Sequence, residues 1–283
     1  MATRVSVVTG GNKGIGYGIV KNLCEQFKGV VYLTARDVNR GKAAVESLNK
    51  LGLKPEFHQL DVEDETSIQI FANFIKEKHG GIDVLVNNAA IAFKQDATDP
   101  FSYQAKVTLR VNYFALVKLC EILFPLLRPH ARVVNVSSSA GHLLRIPGEE
   151  WRKKFSDPKL TVEELSNCMN SFVEAATRGD HEQKGWPNSA YVVSKVGVSA
   201  LTRIQHQQFL NDPREDIVIN HVHPGYVNTD MTSHKGPLTI EEGADAPTYA
   251  ALLPEDIQSP KGDYIWCTRQ IVDWVKGPTP SNI

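Results

Sequence analysis

Tyr191 and Lys195 stand four residues apart in the run Asn188-Ser189-Ala190-Tyr191-Val192-Val193-Ser194-Lys195. On a helix that spacing brings a phenol and an ammonium onto one face. A phenol titrates near ~10 and is a poor acid at neutral pH, but a fixed positive charge close by favours phenolate and brings proton donation nearer the working pH. The pair is therefore a device for handing a proton to a carbonyl oxygen. Spacing alone is not specific. With 8 Tyr and 19 Lys in 283 residues, about half of one such pair arises by chance, and a second copy stands at Tyr17 and Lys21. The plainer alternative for either pair is a weakly interacting couple on a helix surface.

The elements that would position such chemistry begin with the apolar run Val5–Val8, which leads into Thr9-Gly10-Gly11-Asn12-Lys13-Gly14-Ile15-Gly16. Ile15, Ile19, Val20, Leu23 and Phe27 then recur at helical spacing. Strand, glycine turn and helix in that order make a cradle for a pyrophosphate: glycine lets the backbone approach closely, and the helix start offers free N–H groups. In this frame Tyr17 and Lys21 lie within the first helix, behind the phosphates. A second strand, Val30–Ala35, ends at Arg36-Asp37, with Arg36 twenty positions after Gly16, where such folds place the residue that reads the adenosine ribose. Arg36 can pair with a 2′-phosphate and Lys13 can add a second positive contact, which favours NADP over NAD. Asp37 is the counter-argument, since an acid turned inward would prefer a free 2′-hydroxyl.

A helix from about residue 39 to 51 and a strand near 57 to 60 follow, ending at Asp61-Val62, with Asp61 placed to meet the adenine edge. A helix from about 64 to 79 leads to Ile82-Asp83-Val84-Leu85-Val86-Asn87-Asn88-Ala89-Ala90. Short apolar strands alternating with helices predict a doubly wound parallel sheet covered on both faces. A helix is expected from about 101 to 123, a strand at 132 to 136 ending in Ser137-Ser138-Ser139, and a catalytic helix from 189 to about 210. A strand at 217 to 221 then precedes His223-Pro224-Gly225-Tyr226-Val227-Asn228-Thr229-Asp230-Met231. A last strand near 264 to 267 closes the sheet.

The composition, 42% hydrophobic and 22% charged, suits one soluble domain over 1–283, and a net charge of −1 gives no reason to expect nucleic acid or a membrane surface as partner. Cys24, Cys120, Cys168 and Cys267 are far apart and form no C-x-x-C pair, so free thiols in a reducing cytoplasm are expected. The strand-like start leaves no place for a signal peptide, and no uncharged apolar run is long enough to span a bilayer. His221-x-His223 lacks a third ligand, so no metal is expected.

Taken together, Thr9-Gly10-x-x-x-Gly14-x-Gly16, Asn87-Asn88-Ala89, Tyr191-x-x-x-Lys195 and Pro224-Gly225 resemble the short-chain dehydrogenase/reductase family. The resemblance implies a Rossmann-type fold in which Asn88 belongs to the cofactor site and Ala90 replaces the usual glycine. It implies that Asn112 holds a water linking Lys195 to solvent. It picks Ser138 as the hydroxyl that holds the substrate oxygen, with Ser139 as fallback. It places Pro224, Gly225, Val227 and Thr229 on the nicotinamide, leaving Tyr226 and Met231 to wall the substrate pocket. From Ser138 to Tyr191 the chain runs 53 positions, longer than many members of the family, and the extra segment at about 141–187 carries a capping-box pattern at Thr161 and Glu164. The wording of this segment is similar to the monomeric NADPH-dependent carbonyl reductases, and it would cover helices that other members use for pairing. The expected activity is hydride transfer from NADPH to a ketone, aldehyde or quinone, with Tyr191 as proton donor. A narrow steroid, prostaglandin or pterin reductase is the alternative within enzymes, and an NADP(H)-sensing binding protein without turnover the alternative outside them.

Overall fold

The computed structural model describes residues 3–94 and 96–280. Three valines and Ser6 make up β1 (Val5–Val8), which is wholly buried, and the glycine turn hands over directly to α1 (Gly14–Gln26). The chain continues through β2 (Val30–Ala35), α2 (Val38–Lys50), β3 (Glu56–Gln59), α3 (Glu65–His79) and β4 (Ile82–Asn87). Then come α4 (Phe101–Leu109), α5 (Ala115–Leu123), β5 (Leu127–Val136), α6 (Glu149–Ser156), α7 (Val162–Arg178), α8 (Ala190–Phe209), β6 (Val218–Val222), α9 (Ile240–Ala251), β7 (Tyr264–Ile265) and β8 (Ile271–Val272).

The strands form one sheet in the order β3-β2-β1-β4-β5-β6-β7-β8, parallel throughout except for the antiparallel β8. The order reverses between β1 and β4, where Val7 pairs with Leu85 on one side and Tyr32 on the other. A crevice opens at the carboxyl ends of the strands beside such a reversal, and ligands bind there. One face of the sheet is covered by α1, α2 and α9, the other by α3, α5 and α8, so the strands are apolar on both sides. Tyr17 and Lys21 turn outward from α1, the first to Ser47 (2.9 Å) and the second to Glu241 (3.5 Å), so that pair is structural.

Three features depart from the periodicity. The run expected as one helix from 101 to 123 is interrupted by a π-helical turn at Arg110–Phe114, with Asn112 inside it. The sheet carries an eighth, antiparallel strand that two short residues' worth of pattern could not announce. The insertion is not a surface linker: Leu165, Met169 and Phe172 of α7 are fully buried in one cluster with Ala105 and Leu109 of α4 and Val193 and Val196 of α8. The capping box that opens α7 is formed in full, Thr161 accepting from the Glu164 N–H while Glu164 accepts from the Thr161 N–H. Among the described residues no helix is long and apolar enough to cross a membrane.

Candidate active site

The crevice is about 540 Å³ and its floor is the glycine turn. Gly10 (φ +64°) and Gly14 (φ +55°) take left-handed backbone that other residues adopt at a cost. A Cβ on Gly16 would fall 2.4 Å from both the Gly10 carbonyl and the Asn88 amide. Lys13, at the N-cap of α1, offers no side-chain cap and the first turn holds no acid, so the helix start presents open N–H groups and a positive dipole end to the crevice. Asn12, Lys13 and Ile15 line the same floor. These features fit the diphosphate of a dinucleotide. Asn88 shapes the turn: its amide donates to the carbonyls of Thr9 (3.0 Å) and Gly10 (3.2 Å). Ala90 is not among the residues with positive φ, so glycine's freedom is not needed there.

At the adenosine end the wall holds Arg36, Arg40, Asp61 and Val62. Asp37 lines the same wall. It caps α2 by accepting the Arg40 N–H (2.8 Å) and pairs with the Arg40 guanidinium (3.2 Å), the backbone bond first among the causes that lower its pKa. Arg36 stays largely exposed with Glu63 at 3.7 Å, and Glu63 is held more closely by Arg110 (2.7 Å). Asp61 accepts the Glu63 N–H (3.0 Å) while its own N–H donates to Ser67, which fixes the strand end against the crevice. Lys13 reaches across the crevice to Asp230 (2.7 Å) rather than toward Arg36.

At the other end, α8 opens at Ser189, whose hydroxyl accepts the Val192 N–H. Lys195 is 3% exposed, its Nζ donating to the Val136 carbonyl (2.8 Å) and lying 5.8 Å from the centre of the Tyr191 ring. Burial brings its pKa down to about 8. Burial also raises the Tyr191 phenol, while the neighbouring Ser138 hydroxyl pulls it the other way. The sequence predicts a phenol made acidic by Lys195; in the free protein burial is the larger influence on it and acts in the opposite direction. Asn112 accepts the Ile91 N–H (2.8 Å) and donates to the Ile91 carbonyl (2.9 Å) and the Ser194 hydroxyl (3.0 Å). Ser194 in turn donates to the Tyr191 carbonyl (2.8 Å). A cavity of about 20 Å³ is lined by Lys195, Asn112, Thr9 and Asn87, which is room for one water among several polar groups.

The three serines after β5 separate by their partners. Ser137 is buried against α8, bonded to Ser199 (2.7 Å) and the Lys195 carbonyl (3.2 Å). The Ser139 N–H donates to His223 Nδ1 (2.9 Å). Ser138 is the one beside Tyr191.

His223, weighed in the sequence only as a metal ligand, takes a positioning place in the structure. Its Nδ1 accepts from Ser139 and, at 3.4 Å, from the Gly225 N–H, so one ring ties the serine loop to the Pro224-Gly225 turn. Burial takes its pKa down to about 4, so Nδ1 remains an acceptor at neutral pH. Gly225 has φ +92°. Val227 is buried against Gly243 of α9, which leaves only its backbone for a ligand. Thr229 and Met231 line the crevice, whereas Tyr226, 45% exposed, stands outside its lining residues, as do Ser138, Tyr191, Lys195 and the Pro224-Gly225 turn. Ser194 and Glu63 were also missed, since their bonds to Asn112 and Arg110 are formed only on folding, and so was Arg40, which lines the crevice from the first turn of α2. Among the described residues one group of potential metal ligands comes together, His130, Asp216 and Asp256, away from His221 and His223. Asp216 is already committed to Arg132 (2.7 Å) and Lys261 (3.4 Å).

The short chain dehydrogenase family model matches residues 4–169. Carbonyl reductase [NADPH] 1 of Sus scrofa is 47% identical over 274 residues, 96% of this chain and 94% of that one. Carbonyl reductase [NADPH] 3 of Mus musculus is 48% identical over 265 residues, 93% and 96% of the two chains. Among solved structures, salutaridine reductase from Papaver somniferum superposes with a TM-score of 0.83 at 34% identity, covering 92% of this chain and 99% of its own. A crevice at the strand reversal, an uncapped glycine-turn helix and a Tyr-x-x-x-Lys whose lysine is buried are thus joined to a match over most of the length, and the chain belongs to the short-chain dehydrogenase/reductase family.

Proposed function

We propose that the protein reduces ketones, aldehydes or quinones with NADPH, with Tyr191 as the proton donor. When bound, NADPH supplies the hydride that goes to the carbonyl carbon. Ser138 would hold the carbonyl oxygen beside the phenol, and the Tyr191 proton would pass to that oxygen as negative charge develops on it. Lys195, buried beneath the ring, would steady the phenolate so formed. The small cavity between Lys195 and Asn112 would hold the water through which the proton is restored. The observation that carries this reading is the buried Lys195: an ammonium whose nearest partner is a carbonyl, set under a phenol, is costly as architecture and useful as acid–base machinery.

At the other end Arg36 and Arg40 would take the 2′-phosphate, a role that the capping position of Asp37 leaves open to them. The diphosphate would rest on Gly10 to Gly16, and the Pro224-Gly225 turn with the backbone of Val227 and Thr229 would meet the nicotinamide. The whole chain would work as a single cytoplasmic monomer. The free thiols of Cys24, Cys120, Cys168 and Cys267 suit a reducing compartment, and α7 already covers α4 and α8.

The test is Tyr191→Phe, assayed by NADPH oxidation over a panel of ketones, aldehydes and quinones. Turnover should fall by at least about a thousandfold while NADPH binding, followed by fluorescence, stays nearly intact. Unchanged turnover would remove Tyr191 from the role. Tight NADPH binding with no carbonyl reduced by the native protein would favour a sensor instead.

A further inference from the structure

A second cleft, of about 500 Å³, lies between α8, β6–β8 and the end of α6, and shares no lining residue with the cofactor crevice. We propose that it is a separate ligand site for a small planar organic monoanion, an aromatic carboxylate, held by Arg203 and His221.

Arg203 projects from α8 over the Trp274 ring, 5.1 Å from its centre. Asp263 and Asp273 act on its guanidinium through space, without a hydrogen bond. Both of these acids are otherwise engaged: Asp263 accepts the Lys261 N–H (2.7 Å), and Asp273 accepts those of Val275 (2.9 Å) and Lys276 (3.0 Å). The other cation in the wall, Lys261, is paired with Asp216 (3.4 Å). Arg203 is therefore left with a planar fork of donors facing the cleft, a geometry that matches a carboxylate.

His221 is the second, independent observation. It is wholly buried in the wall of the cleft, stacked on Tyr264 at 4.7 Å with an interplanar angle of 11°. Neither of its ring nitrogens has a partner among the described residues. Buried polar atoms in folded chains almost always have partners, so two orphaned nitrogens on one ring mark a place where a partner is missing. Held neutral, the ring offers one N–H and one lone pair.

The remaining lining selects the ligand. Phe155, Ile204, Ile271 and Trp274 supply apolar surface for a flat body. Asp157, Asp263 and Asp273 outnumber the two cations, so a doubly charged phosphate meets about twice the repulsion that a single carboxylate does, and the carboxylate depends on direct contact with Arg203. The site also adjoins the chemistry. Tyr264 donates to the Ser138 carbonyl and Trp274 to the Gly141 carbonyl (2.6 Å), so a ligand pressing on these two rings bears on the loop that holds the catalytic serine.

The probe is 2-naphthoate, titrated calorimetrically into the protein saturated with NADP, with 2-naphthylmethanol as its neutral counterpart. One saturable site with a Kd at or below about 1 mM is expected, weakened at least about tenfold in Arg203→Met and undisturbed by a carbonyl substrate. Naphthoate should change kcat while leaving the KM for NADPH unaltered. If Arg203→Met does not fold, Ile271→Trp, at an exposed position on the cleft rim, should block binding instead. No saturable binding, equal binding of the alcohol, displacement by the carbonyl substrate, or naphthoate binding unaffected by either variant would each overturn the proposal.

Discussion

Lys195 and Tyr191 are both governed first by burial, which brings the ammonium down to about 8 and raises the phenol. The resting pair is therefore a neutral acid beside a loosely held proton, which is the state from which a proton can be given away. On the proposed function, the electrostatic help of Lys195 would come at the moment when the phenol has lost its proton. At the adenosine end, the exposed Arg36 guanidinium lies 3.7 Å from Glu63. Arg36→Ala should raise the KM for NADPH by on the order of tenfold to a hundredfold and leave that for NADH nearly unchanged, as initial-rate kinetics with the two cofactors would show. Equal losses with both would assign Arg36 a structural role. At this scale the sequence revealed what depends on residue type at local spacing: the glycine turn, Tyr191 with Lys195, and Arg36 at its strand end. Residue type alone could not separate Ser137 from Ser138 and Ser139, and only the family resemblance picked Ser138, because the choice depends on which serine α8 and His223 engage. Nor could it show Asp37 turning to cap its own helix.

Helix and strand order was legible because apolar strands and amphipathic helices alternate at short, regular intervals. What escaped was structure imposed by neighbours. The π-helical turn at Arg110–Phe114 exists where Asn112 clasps the Ile91 backbone from both sides, a bond across 21 residues that no periodicity carries. Strand β8 is two residues long and is defined by its antiparallel pairing with β7. The insertion was legible as a capped helix, but its depth of burial was not. Phe172 shows what that depth means: it is fully buried and packs edge-on against Phe101 and Trp186. Phe172→Ala should cost about 3–5 kcal/mol, read as a lower urea midpoint with an unchanged slope. A loss below 1 kcal/mol, on the order of a surface substitution, would mean that α7 is not part of the cooperative unit.

Across the whole molecule, several imidazoles are kept neutral by burial: His221 well below its usual range, His223 at about 4, and His142 and His206 also lowered. Their pKa values fall on folding, so between the unfolded value near ~6.5 and the folded values the unfolded chain binds protons that the native protein refuses. Stability is thus complete above pH ~6.5 and declines as the pH falls toward 4, by up to about 1.4 kcal/mol per pH unit for each such ring. Urea unfolding at pH 7, 6 and 5 should show this decline, and His221→Leu should make it shallower. An equally steep decline in the variant would place the proton uptake elsewhere. The assembly state is testable at the same scale: light scattering during size-exclusion chromatography should give the mass of one chain, and a dimer mass would show that α7 does not occupy the pairing surface.

With α7 laid over α4 and α8, the helix that carries Tyr191 and Lys195 is propped from within its own chain. Catalysts whose working helix leans on a neighbouring copy lose rate when they are diluted apart. Here, turnover per molecule should stay constant from micromolar stock to the thinnest assay solution.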